Sequence, residues 1–89
     1  MTHDAVRASS GLVSIIIPVH NGAATLGETL DSLFSQSYAN LEIIVIDDAS
    51  VDDTQTVLSA QHDPRLRVIC LDRNVGVSAA RNIGIRSQL

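Results

Sequence analysis

Eighty-nine residues with a formal net charge of -4 bound this protein to one small domain, because chains this short bury a smaller share of their surface than mid-sized domains do. Apolar residues make up 45% of the chain, with one Phe, one Tyr and no Trp, so the core must come from Ile, Val, Leu and Ala, a composition suited to an α/β protein with buried strands. All six basic residues are Arg, and they form no cationic stripe, which excludes nucleic-acid binding.

Met1 to Gly11 is polar, carries no signal-peptide pattern and is expected to be a disordered leader to a domain spanning 12–89. The run "LVSIIIPV", Leu12 to Val19, predicts the first strand, with Pro18 marking its end because proline cannot donate to a central ladder. "TLGETLDSLFSQ" places Leu26, Leu30, Leu33 and Phe34 at helical spacing, and Thr25 with Glu28 three residues later reads as a capping box. "LEIIVID" predicts the second strand, whose branched residues Ile43 to Ile46 run straight into Asp47 and Asp48. Ser50 reads as the cap of a second helical segment with Asp52 and Asp53 in its first turn and Val51, Val57 and Leu58 as apolar anchors. After the Asp63-Pro64 breaker, "LRVICL" predicts the third strand, and "VGVSAARNIGIRSQL" a third helical segment whose Ala79, Ala80 and Gly84 allow close packing. Cys70 reads as a small buried hydrophobe with no disulfide partner, in keeping with a reduced, cytoplasmic setting. No apolar run approaches the roughly 18 residues of a membrane span.

The order β-α-β-α-β-α predicts a parallel three-stranded sheet with right-handed crossovers and strands in the order 3-2-1. Ligands of such sheets gather at the carboxyl ends of the strands, which sets Asp47 and Asp48 beside Pro18 to Asn21 and Asp72 to Asn74. Three phosphate-binding patterns fail there. "GAATLGET", Gly22 to Thr29, has P-loop glycine spacing but puts Glu28 where lysine is required. Asn21-Gly22-Ala23 supplies one glycine where a dinucleotide fingerprint needs two, and Pro18 to Asn21 lacks the acidic residues of a phosphorelay receiver. A carboxylate at a strand tip remains as a directional acceptor for a sugar hydroxyl or a base N–H. The competing reading is an Asp-Asp-Ala-Ser turn that caps the second helix through local side-chain bonds. His3 and His62 sit in polar stretches, and no complete metal-ligand set is visible.

Several ordered pieces together carry a resemblance: the strand ending Pro18-Val19-His20-Asn21, the Gln36-Ser37-Tyr38 turn with Asn40, the strand ending Asp47-Asp48-Ala49-Ser50, and Asn74-Val75-Gly76 leading to Ala80-Arg81-Asn82. Over Val13 to Ile85 the chain resembles the amino-terminal, nucleotide-binding half of family 2 glycosyltransferases of the Rossmann-like GT-A fold. That resemblance implies a nucleotide-sugar donor, most often a UDP-sugar, and an acceptor hydroxyl, with inversion at the sugar. It places Pro18, Val19 and His20 in the base pocket with Asn21 at the same strand tip. His20 stands where tyrosine is common. It implies that Asp48 contacts the nucleoside while Asp47 holds the turn, and that Arg81 reaches the uracil or diphosphate, with Gly76 and Ser78 at the same anion site. A divalent cation, Mn or Mg, is implied for the full-length enzyme, held by an Asp-x-Asp element expected beyond this chain together with the catalytic base. The resemblance therefore implies no catalytic or metal residue here, no tight cation binding, no turnover by the isolated chain, and peripheral membrane association at most for a longer protein. Polysaccharide synthesis is the implied setting. A bare edge on the first strand suggests a homodimer through Ile15 to Ile17, and the alternative function is a non-catalytic α/β nucleotide-binding or interaction module.

Overall fold

Seven elements form along the chain: β1 (Asp4–Arg7), β2 (Val13–Val19), α1 (Ala23–Phe34), β3 (Leu41–Asp47), α2 (Thr54–Ser59), β4 (Leu66–Cys70) and α3 (Val77–Arg86). The structure, a computed structural model, describes residues 4–7, 11–35 and 40–88; the expected Gln36-Ser37-Tyr38 turn lies outside them. Strands β2, β3 and β4 pair in parallel and lie in one sheet in the order β1-β2-β3-β4, so the predicted parallel unit and its strand order are present.

The sheet has one strand more than expected. Residues assigned to a disordered leader supply β1, which pairs antiparallel with β2 from Asp4↔Ile16 to Arg7↔Val13. The outward backbone groups of β2 are therefore paired over most of its length, and the bare edge that motivated dimerisation through Ile15 to Ile17 is covered. Pro18 lies inside β2, opposite Ile46, and does not end it. Val13 N–H and Val19 C=O both bond toward β3, so strand alternation turns Pro18 toward the β1 side, beyond the last β1 partner at Ile16. Its missing donor costs no ladder bond there.

Period-two alternation divides the apolar residues between two helix layers. Ile15, Ile17, Val19, Ile43 and Val45 meet Leu26, Leu30 and Leu33 of α1 and Leu58 of α2. Ile16, Ile44 and Ile46 face Ala80 of α3. Every residue of β3 is buried, which is why this strand reads as an unbroken apolar run rather than an alternating one. Strand β4 is the far edge, so Val68 is 40% exposed and Cys70, expected to be buried, is also exposed. At the amino ends of the strands Ser14 Oγ donates to buried Glu42 at 2.7 Å. Arg67 reaches both Glu42 at 3.4 Å and the carbonyl of Ser87 at 2.6 Å, tying the end of α3 to the sheet. No helix among the described residues is long and apolar enough to cross a membrane.

Two helix starts differ from their sequence signals. α1 begins at Ala23 with Gly22 as its cap, so Thr25 already lies in the first turn and both it and Glu28 are exposed. No capping box forms because distant side chains supply the acceptors: Thr54 Oγ takes the Gly22 N–H at 3.0 Å and Asp52 the Ala23 N–H at 3.1 Å. α2 begins after Asp53, and Val51, expected as an anchor, is 88% exposed on the preceding loop.

Gly84 makes the closest approach between α3 and the sheet. A Cβ there would stand 2.5 Å from Ile16 Cγ2 and 2.6 Å from Ile46 Cδ1. The resulting overpacking costs ~1–3 kcal/mol against a helix-propensity gain of at most ~1 kcal/mol. Gly84→Ala is therefore expected to lower stability in urea unfolding, and adding Ile46→Val, which removes the Cδ1 methyl, to recover part of the loss. A second expectation concerns acid. Bonds from Thr54 to Asp52, and from Arg65 to Asp63, hold these two carboxyls below their ordinary value of 3.8. A depressed folded-state value gives stability that is complete above 3.8 and disappears as pH falls through the lowered values. The melting temperature should accordingly drop below pH 3.8, with a shallower drop in Asp52→Asn.

Candidate functional site

The parallel register brings the carboxyl ends of β2, β3 and β4 to one rim. Asp48 N–H bonds the carbonyl of Val19 at 2.7 Å and Leu71 N–H that of Asp47 at 2.9 Å, carrying the ladders to the tips. Beyond them the chain turns sharply: Asn21 and Ala49 both have φ of 56°, a left-handed conformation that Asn tolerates better than most residues. The two turns hold each other. Asn21 N–H donates to Ser50 Oγ and Val51 N–H donates back to Asn21 Oδ1, each at 2.9 Å. Ser50, read from sequence as a helix cap, thus serves the neighbouring loop instead.

The two aspartates have distinct surroundings. Asp47 is fully buried on the α1 and α2 side, and its Oδ1 accepts the Ser50 N–H at 3.1 Å. Asp48, 3% exposed, turns its carboxylate to the segment before α3, where Oδ1 accepts Val75 N–H at 2.8 Å and Oδ2 accepts Gly76 N–H at 3.0 Å. Its carbonyl receives His20 Nδ1 at 2.7 Å and Asn74 Nδ2 at 3.4 Å. Gly76 has φ of 90°, a value open to glycine at little cost, and this geometry aims two consecutive N–H groups at one carboxylate. All three strand tips are thereby laced through Asp48.

Between them lies a cavity of about 120 Å³ lined by Pro18, Val19, His20, Asp48, Asn74, Gly76 and Val77. Five of the nine residues expected at the site are thus brought together; Ser78 is exposed and does not line the cavity. Asn21 sits directly behind, its Nδ2 3.3 Å from His20 Nε2. Asp47 and Arg81 do not line the cavity; Arg81 is half-buried on α3, four residues and so one turn after Val77 on the same face. Asn74 and Val77 are the lining residues absent from the sequence-derived set. Asn74 belongs to the motif before α3 and could have been found there, whereas an exposed valine opening a helix carries no chemical signal.

The available donors narrow what the rim can hold. A helix amino terminus commonly offers its free N–H groups to anions, but at α1 those of Gly22 and Ala23 are taken by Thr54 and Asp52, and the Gly76 N–H is taken by Asp48. What the cavity offers is an apolar floor, an imidazole ring and a carboxylate with acceptor capacity left over. Each carboxylate oxygen has two lone-pair sites and accepts one backbone bond here. A larger open groove of about 500 Å³ runs between α2 and β4, lined by Gln55, Thr56, Leu58, Ser59, Val68 and Cys70. It carries no charged group and lies away from the strand tips, so the smaller cavity is the candidate site. Among the described residues, no three His, Cys, Asp or Glu side chains converge as a metal ion requires.

Known proteins place this arrangement. The chain is 40% identical over 73 residues to the succinoglycan biosynthesis protein ExoO of Rhizobium meliloti, covering 82% of this chain and 21% of ExoO. It is 42% identical over 77 residues to the Escherichia coli enzyme WfaP, a UDP-Glc:alpha-D-GlcNAc-diphosphoundecaprenol beta-1,3-glucosyltransferase, covering 84% of this chain and 30% of WfaP. The chain thus spans less than a third of the length of either. Among solved structures it superposes on the mannosyltransferase PcManGT of Pyrobaculum calidifontis, in complex with GDP-Man and Mn2+, with a TM-score of 0.75 and 30% identity over 83% of this chain and 23% of that one. It matches Staphylococcus aureus TarS with a TM-score of 0.76 and 31% identity over 85% of this chain and 24% of that one. Residues 14–87 match the sequence pattern described as glycosyl transferase family 2, and with the shared GT-A architecture this shows that the chain belongs to that family.

Proposed function

We propose that this chain forms the nucleotide-binding part of a glycosyltransferase that passes a sugar from a nucleotide diphospho-sugar, most readily a UDP-sugar, to an acceptor hydroxyl with inversion. The observation that carries the reading is the convergence of His20, Asp48 and the segment before α3 on one cavity at the strand tips. The GDP-Man bound by PcManGT and the UDP-Glc named for WfaP support a nucleotide-sugar donor. ExoO and WfaP support polysaccharide assembly as the setting.

Under this reading the base rests on Pro18 and Val19 with a face of His20 against it. Asp48 accepts a ring N–H through its unused lone pairs. Arg81 reaches toward the diphosphate from α3, where its planar fork suits phosphate oxygens. Asn21 and Asp47 serve the ligand through the loops they hold. A divalent ion of the kind bound by PcManGT would neutralise a leaving diphosphate, but the described residues gather no donor set that fits one. Asp48 is the one carboxylate lining the cavity, and both its oxygens are already engaged by the N–H groups of Val75 and Gly76. The chain alone is therefore expected to bind donor without turnover. That same feature favours, as a second reading, a binding module without chemistry of its own.

Calorimetric titration with UDP tests the site. His20→Ala alters an exposed ring and should weaken UDP binding roughly tenfold, the loss of one stacked contact, while leaving the melting temperature near that of the wild type. Asp48→Ala strands two N–H groups and should lower both UDP affinity and stability, the latter by ~1–3 kcal/mol. Unchanged UDP affinity in both variants would remove the cavity from donor binding, and sugar transfer by the chain alone would overturn the binding-only assignment.

A further inference from the structure

We infer that Asn21 is a positioning residue that holds His20 in its neutral, Nδ1-protonated form, so that nucleoside binding at the cavity requires an uncharged His20. The statement about binding rests on the nucleotide reading above; the statement about the imidazole does not.

The chain of hydrogen bonds starts one loop away, at Val51. Its N–H donates to Asn21 Oδ1 at 2.9 Å. A backbone N–H must meet an oxygen, so the amide of Asn21 is oriented by this bond, which leaves Nδ2 for its other neighbour. That neighbour is His20 Nε2, at 3.3 Å. An amide NH2 group only donates, so Nε2 accepts and carries no proton. The other ring nitrogen, Nδ1, lies 2.7 Å from the carbonyl oxygen of Asp48, which only accepts, so Nδ1 carries the proton. Donors and acceptors then match at every link from Val51 through Asn21 and His20 to Asp48. With both nitrogens engaged, the ring has no in-plane polar atom to offer a ligand, only its faces.

A second proton on Nε2 would set two donors against each other at that 3.3 Å contact. Asn21 is poorly placed to yield, because its backbone is in the left-handed region, its N–H is bonded to Ser50 and its Oδ1 to Val51. His20 is exposed, so the ring is the group that swings away. In doing so it releases the carbonyl of the same Asp48 whose carboxylate holds Val75 and Gly76, and one wall of the cavity loosens. The charged groups on the segments around the ring are Asp47 at the end of β3, Asp48, Asp52 and Asp53 after it, Asp72 and Arg73 before α3, and Arg81 on α3. Among the described residues, no carboxylate oxygen lies within 4.0 Å of a His20 nitrogen, so none makes a direct ion pair with the imidazolium.

Nitrogen-resolved NMR of the imidazole rings in the 89-residue chain, recorded from pH 8 downward, tests the inference. At the alkaline end His20 should show a protonated Nδ1 and an unprotonated Nε2, with the exposed His62 as internal reference. Asn21→Asp keeps the acceptor for Val51 but can only accept from Nε2–H. It should therefore move the uptake of the second proton by His20 to higher pH, and the acid limb of UDP binding should move with it. His20→Phe keeps a ring face without a titrating group, so it should bind UDP without the part of that limb contributed by His20, any remainder coming from the nucleotide. A wild-type His20 protonated on Nε2, or a His20 titration unmoved by Asn21→Asp, would overturn the positioning role even if UDP binds. Absence of UDP binding at every pH would overturn the nucleotide reading and the binding half of the inference, while the ring spectra decide the positioning half alone.

Discussion

The site depends on where a fully buried strand is forced to end. β3 is covered on both faces and flanked on both sides by parallel neighbours, so any charge in it must be partnered by the protein. Glu42 at its amino end meets Ser14 and Arg67, and Asp47 and Asp48 at its carboxyl end remain largely desolvated and must find donors. They find them in backbone N–H groups of adjoining loops: Ser50 for Asp47, Val75 and Gly76 for Asp48. Engaging these two buried acids is thus the same event as shaping the rim, although Asp47 Oδ2 is buried without a partner. The turn after β3 and the segment before α3 take the conformations they do, including the positive φ values of Ala49 and Gly76, in company with these bonds.

This constraint also separates the site from the more familiar anion sites of α/β proteins. In those, a glycine-rich turn leaves helix N–H groups free for phosphate. Here side chains or carboxylates of the protein already take the donors at the start of α1 and at Gly76. The proposed nucleoside site accordingly relies on acceptors and a ring face, with Arg81, on the next turn of α3, proposed for the diphosphate.

The match to larger glycosyltransferases fits the same picture. ExoO, WfaP, PcManGT and TarS all align with this chain over one segment amounting to less than a third of their lengths. Residues 14–87, which match the family, contain the parallel unit β2-β3-β4 from Ser14 onward and the loops at its carboxyl rim. A rim built from consecutive β-α units can be carried by a short stretch of chain because each loop that contributes to it follows directly from a strand of the same sheet.

Much of this was legible in the residues. The branched runs, their spacing by helical segments and the acidic pair after Ile46 determine an α/β unit with parallel strands and a polar rim, because strand burial and connection handedness are properties of local pattern. The position of His20 and Asp48 on that rim follows from the same logic, whereas Gly76 entered only with the family resemblance. What the pattern could not carry is which partner each polar group takes. Thr25 and Glu28 spell a capping box, yet Thr54 and Asp52 cap α1. Ser50 spells a helix cap, yet it serves Asn21, and Cys70 sits in an apolar run on an exposed edge. A polar start such as "DAVR" shows no strand signal until β2 offers an edge to pair with. Sequence by itself determined the parallel unit β2-β3-β4 and the rim at its carboxyl ends; tertiary structure alone decided the edge strand β1 and the hydrogen-bond partners, because those bonds join residues some thirty positions apart whose proximity exists only once the strands have packed.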